Sequence, residues 1–130
     1  MKPMSNLLED SYTCESTSSP VTCSITNNIL TITSLDPDST WNLAYTNDES
    51  ISTIQITGSI SKIPDNSFKN WIHITTLTVT STLSEIGLNA FSGCTSLQTI
   101  QLPNTVTTIS QQSFENCKSL TIVYLMDVKL

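Results

Sequence analysis

Apolar residues recur along this chain with a period of 23. Ile54, Leu77, Ile100 and Val123 form one column, and Ile56, Val79, Leu102 and Leu125 form a second two positions on. A separation of two is the strand period, so each row opens with a short strand whose alternate residues are buried. Ile60, Leu83 and Val106 come next, then Ile63, Ile86 and Ile109, a step of three that predicts a corner leading into another extended piece. A Phe column follows at Phe68, Phe91 and Phe114, then Trp71, Cys94 and Cys117, and last Ile74, Leu97 and Leu120. No row could bury these faces alone. Rows stacked as coils of a solenoid can, because each covers the apolar side of the one before it.

The residues between the apolar columns predict where the chain turns. Asn70, Gly93 and Asn116 share a column, and Asn and Gly accept a left-handed backbone most readily, so φ > 0 is expected there. The position before each Phe is Ser67, Ala90 or Ser113, small as adjoining coils require, and Gly58, Ser81 and Asn104 form a second column of turn formers. Upstream, "VTCSITNNILTIT" reads as two alternating segments joined at Asn27 and Asn28, a hairpin with a tight turn. Leu30 and Ile32 in its second segment lie 24 residues before Ile54 and Ile56, which makes that segment the first rung of the ladder. Trp41 and Tyr45 are candidates to replace the Phe anchor in the irregular segment that follows. The division expected is a flexible tail over 1–12, a cap with an irregular first repeat over 13–51, repeats over 52–125 and an end segment over 126–130.

The stretch "LQTIQLPNTVTTISQQSFENC" is similar, almost column by column, to the BspA-like class of leucine-rich repeat, as is "LTVTSTLSEIGLNAFSGC" before it. The row that begins at Ile54 departs from the class, with Trp71 in the Cys column and Pro64 after Ile63. The resemblance implies a mainly β solenoid, a right-handed superhelix of short parallel strands behind an N-terminal hairpin cap. It also implies a cell-surface or secreted protein with an adhesion or surface-antigen role, as in bacteria and some parasitic protists. "MKPMSNLLEDSY" carries no apolar signal stretch and no apolar run is long enough to cross a bilayer, so the chain shows no address of its own and a cytoplasmic place stays open.

Composition narrows the chemistry. Lys and Arg number 5 against 11 Asp and Glu, a net charge of −6, and the five cations are scattered lysines, which excludes a nucleic-acid surface. Ser and Thr fill roughly a third of the chain, so its polarity comes from hydroxyls rather than charges. Catalysis is not expected. There is no G-x-S-x-G elbow, His73 is the single histidine, and Asp36 with Asp38 around Pro37 reads as a turn. Glu9 with Asp10, and Asp48 with Glu49, read as solvated surface. No cofactor is implied, and the cysteines lack the C-x-x-C spacing of a metal site. Cys94 and Cys117, in one column with parallel side chains, are expected as buried free thiols, while Cys14 and Cys23 are a candidate disulfide that would need an oxidising compartment.

The candidate binding face is what alternation leaves outside. Gln55, Thr78, Gln101 and Tyr124 stand between the buried columns, flanked by Thr53, Thr76, Thr99 and Ile122. Gln55, Thr76, Thr78, Thr99, Gln101 and Tyr124 form an uncharged, hydrogen-bonding surface suited to an extended polypeptide or a glycan. The plainer reading is a solvated β surface, since Thr favours strands. Two functional classes follow: a non-catalytic interaction or adhesion module, or a structural, self-associating repeat domain that is part of a longer array. The second draws on the last coil, where "TIVYLMDVKL" supplies a strand without a Phe anchor to cover it.

Overall fold

In a computed structural model, the described residues are 9–14, 21–34 and 49–127, with side chains described for 23–33 and 49–127. They form a solenoid of about four turns with no helix among them. The strands are β1 (Glu9–Cys14), β2 (Val21–Thr26), β3 (Ile29–Ser34), β4 (Thr53–Ile56), β5 (Lys62–Ile63), β6 (Thr76–Val79), β7 (Glu85–Ile86), β8 (Thr99–Pro103), β9 (Thr108–Ile109) and β10 (Ile122–Met126). Seven of them form one sheet in the order β1-β2-β3-β4-β6-β8-β10, and β5-β7-β9 form a second.

The register reproduces the sequence columns. Ile54 pairs with Leu77 and Leu77 with Ile100, both in parallel strands, and Val123 pairs with Ile100 on the far side of β8. The corner expected after Ile60, Leu83 and Val106 leads into the two-residue strands of the second sheet, where Ile63, Ile86 and Ile109 align. The hairpin is present too. Asn27 and Asn28 turn with φ of 51° and 68°, the doubly left-handed geometry of a type I′ turn, and β3 then pairs in parallel with β4, Leu30 against Ile54 and Ile32 against Ile56.

One boundary is corrected. Residues 9–12, expected in a flexible tail, belong to β1, which pairs antiparallel with β2 from Glu9 against Thr26 to Cys14 against Val21. The added strand covers an edge that β2 would otherwise leave open. Trp41, Tyr45, Asp36 and Asp38 lie outside the described residues, as does Asp48.

The core runs the length of the solenoid. Leu30, Ile54, Leu77, Phe68 and Phe91 are fully buried. The Phe rings stack, Phe68 on Phe91 with centroids 5.1 Å apart and Phe91 on Phe114 at 5.3 Å, while Trp71 meets Phe68 edge-on at 5.1 Å. Around this stack the backbone of one coil bonds the next: the Phe68 N–H donates to the Ala90 carbonyl at 2.7 Å, and Phe91 N–H to Ser113 at 2.8 Å. The left-handed column is where it was expected, with φ of 62° at Asn70, 76° at Gly93 and 61° at Asn116. A Cβ added to Gly93 would press on the Asn70 side-chain oxygen, a flexible group that can move aside, so the column asks chiefly for a residue that accepts a left-handed backbone. Asn66, Asn89 and Gln112 form another left-handed column on the other side of the Phe, with φ of 61°, 55° and 61°.

Hydroxyls explain the composition. Thr75 Oγ1 donates to the Ser52 carbonyl at 3.2 Å, Ser84 Oγ to Ser61 at 3.0 Å and Ser119 Oγ to Thr95 at 2.7 Å, each from one coil to the coil before it. The thiol column does the same work. Cys94 Sγ donates to the Phe68 carbonyl at 3.1 Å and Cys117 Sγ to Phe91 at 3.2 Å.

Candidate functional site

The outer face of the seven-stranded sheet is assembled by register. Because β3, β4, β6, β8 and β10 pair in parallel without slippage, residues that face away from the core line up across the strands. Thr31, Gln55, Thr78, Gln101 and Tyr124 form the central column. Ile29, Thr53, Thr76, Thr99 and Ile122 flank it on one side. The expected candidates Gln55, Thr76, Thr78, Thr99 and Gln101 are therefore neighbours, all half-buried, and Tyr124 is exposed at the end of their column. Neighbouring strands are about 4.8 Å apart, so the groups recur at that interval. Thr31 Oγ1 lies 3.5 Å from Gln55 Oε1, a long contact between adjacent rungs.

Sequence reasoning missed part of this surface. Thr31 belongs to the central column through β3, and Thr57 and Thr80 stand one step beyond Ile56 and Val79, with Thr57 N–H donating to Ile32 and Thr80 N–H to Ile56, both at 2.9 Å. The 23-residue spacing of Thr57 and Thr80 was the available signal. The face also changes character along the ladder. On β4, β6 and β8 it presents Thr and Gln, whereas Ile29 on β3 and Ile122, Tyr124 and Met126 on β10 are apolar or aromatic.

Chemistry on this face is limited to hydrogen bonding and apolar contact. The central and flanking columns contain no ionisable group apart from the Tyr124 phenol. His73 is half-buried in the turn segment after Trp71 and belongs to neither column. Lys62 and Glu85 pair at 3.2 Å on the second sheet. Among the described residues, no group of three His, Cys, Asp or Glu side chains is placed to hold a metal ion.

The cysteines divide into two classes. Cys94 and Cys117 are free. Burial, with a contribution from neighbouring Cys117, pushes the Cys94 thiol up to about 12, and burial also raises that of Cys117. A thiol buried and raised as far as that of Cys94 is protonated and slow to react at neutral pH. Cys117 was expected to be buried but is only half-buried, because no coil among the described residues stacks on its outer side. Cys23 is disulfide-bonded. Cys14 stands two positions beyond Tyr12, the register partner of Cys23, and its side chain is outside the described residues.

The repeat pattern described as the BspA type leucine rich repeat region matches residues 39–129, in six copies. A leucine-rich repeat protein from Eubacterium ventriosum shares the fold with a TM-score of 0.56 at 20% identity, over 91% of this chain and 44% of that one. A leucine rich cell surface protein from Faecalibacterium prausnitzii gives 0.44 at 19% identity, over 90% and 43%. This chain thus spans less than half the length of either. No curated protein matches it.

Proposed function

Because this chain belongs to the BspA type leucine-rich repeat family, we propose that it is a non-catalytic interaction module that takes an extended polypeptide or a glycan on the outer face of its seven-stranded sheet. One observation carries the reading: adjacent in-register columns of uncharged donors and acceptors, half-buried and repeated on β4, β6 and β8, with Thr31 of β3 extending the central one. A ligand with its own repeat along the ladder, whether peptide groups or sugar hydroxyls, meets equivalent partners at successive rungs. Tyr124 adds an aromatic platform at one end of the central column, the kind of group that stacks on a sugar ring or an apolar side chain. The module works at the cell surface or after secretion. The disulfide at Cys23 supports that place, since such bonds persist in oxidising compartments.

The test is a glycan and extracellular-matrix binding screen with Gln55→Ala/Gln101→Ala as the matched variant. Saturable binding by the native chain, weakened about tenfold or more by the double substitution, is expected, since loss of central contacts costs at least about 1.4 kcal/mol. Binding that survives the double substitution unchanged would place the ligand elsewhere.

A further inference from the structure

The central column of the outer face alternates. Thr31, Gln55, Thr78 and Gln101 stand on β3, β4, β6 and β8 in turn, so the two amide side chains are set on every second rung. Each of these four strands is paired on both sides, which fixes the spacing at about 4.8 Å per rung and about 9.6 Å from Gln55 to Gln101. All four side chains are half-buried on the outer face. Thr31 Oγ1 donates to Gln55 Oε1 at 3.5 Å, which turns the oxygen of that amide toward β3 and leaves the nitrogen, a donor only, for a ligand. Among the described residues, nothing else bonds the Gln55 side chain and nothing bonds that of Gln101.

A ligand that lies along the ladder and meets both amides must offer acceptors at that interval. A polypeptide in extended β conformation repeats its face every two residues, about 6.8 Å, and falls about 3 Å out of step between the two amides. A polyproline II segment has three residues per turn and rises about 3.1 Å per residue, so equivalent carbonyls recur every ~9.3 Å, within about 0.3 Å of the interval from Gln55 to Gln101. Such a segment has no internal hydrogen bonds, and at proline it has no N–H, so its carbonyls need donors and it brings none of its own. A glycan brings hydroxyls that donate as readily as they accept, and a face that leaves its amide nitrogen free is not specially suited to it.

We infer that the central column takes a proline-rich segment in the polyproline II conformation, laid across the strands, with Gln55 and Gln101 donating to carbonyls one turn apart and Thr78 beneath the turn between them. This deepens the reading of the outer face as an interaction surface and rests on it. The Thr53, Thr76 and Thr99 column alongside supplies methyl groups against which proline rings can lie. A polyproline II ligand also suits a face that offers few contacts, because it is ordered before it binds and gives up little conformational freedom.

The probe is an end-blocked peptide of nine prolines, titrated into the isotope-labelled chain and read by NMR at the side-chain amide resonances of glutamine. Those of Gln55 and Gln101 are expected to shift together and saturably, while those of Gln111 and Gln112, exposed and outside the sheet, stay in place. A Gly-Ser peptide of the same length, flexible where proline is ordered, is expected to bind at least tenfold more weakly. Thr78→Gln/Gln101→Thr keeps two amides but sets them on adjacent rungs, about 4.8 Å apart. It is expected to weaken binding of the proline peptide at least tenfold with an unchanged melting curve, because both positions are half-buried on the outer face. No shift with the proline peptide, equal affinity for the Gly-Ser peptide, or full affinity in the exchanged variant overturns the inference. So does a cello-oligosaccharide that shifts the same two amides more strongly than the proline peptide does. In that last case, or where the matrix screen yields a ligand that Gln55→Ala/Gln101→Ala releases while the proline peptide fails to bind, the wider reading of the face stands and only this inference falls.

Discussion

Replacing Phe91 by Ala removes a ring that is fully buried and stacked on both sides, 5.1 Å from Phe68 at 14° and 5.3 Å from Phe114 at 2°. Deleting a buried Phe side chain costs about 3–5 kcal/mol, combining lost transfer energy with the cavity left behind. Offset aromatic contacts contribute about 0.5–1.5 kcal/mol beyond area, and two are lost here, which places the expected cost toward the upper end of that range. The solenoid cannot share the loss widely, since each coil touches only its neighbours and Phe91 belongs to the interfaces on both sides. Against a total stability of about 5–15 kcal/mol, a loss of about 4–5 is a large fraction. With a urea slope of about 1.5–2 kcal/mol per molar, the midpoint should fall by roughly 2–3 M. Phe114→Ala is the internal control. That ring is half-buried and stacks on one neighbour, so its loss should cost about half as much. Coincident midpoints for native chain and Phe91→Ala, or equal costs at the two positions, would refute the stacked register.

Native-state thiol labelling should proceed at Cys117 well before Cys94, with Cys94 reacting only as the chain unfolds; equal rates at the two sites would contradict the difference in burial. The raised Cys94 thiol also sets an alkaline trend. Its folded-state value lies above the unfolded one, so its contribution is fully present below the ordinary value of 9.0 and is lost as pH rises toward about 12, where the unfolded chain has already released the proton. Urea midpoints should therefore decline less steeply over that window for Cys94→Ala than for the native chain, and parallel declines would argue against a buried, protonated thiol. Peptide mapping of the unreduced chain should join Cys23 to Cys14, and reduction should cost about 2–3 kcal/mol for a loop of about ten residues. Recovery of a Cys94–Cys117 bridge would instead overturn the parallel geometry of their column.

Where packing sets the residue, the sequence is readable. The Ile54, Ile56, Phe68 and Cys94 columns repeat because one coil must match the next in shape, and the same requirement makes the register between β4, β6 and β8 recoverable from spacing alone. The Asn66, Asn89 and Gln112 column was harder to see. Its left-handed backbone is held partly by coil-to-coil bonds, such as that from Asn66 N–H to the Leu88 carbonyl at 2.9 Å, so a Gln is tolerated where Asn or Gly would signal the turn. β1 was missed for a different reason. It adds to β2 at the margin of the sheet and lies outside the 23-residue spacing, so nothing in the repeat points to it.

The candidate binding face is the least legible part, and its physical origin explains why. An outward column contributes little to packing, so Thr, Gln, Tyr and Ile all occur there without disturbing the coil beneath, and residue identity is free to follow the ligand. The inward columns carry the opposite relation: Ile, Leu and Val interchange because each fills the same space. Identity along the outer face therefore holds the functional information that the period does not. In this chain that identity runs from Thr and Gln on β4, β6 and β8 to Ile122, Tyr124 and Met126 on β10. A ligand recognised by hydrogen bonds alone has no need of that change. Such a ligand would draw on the Thr and Gln columns of β4, β6 and β8, where donors and acceptors recur at each rung.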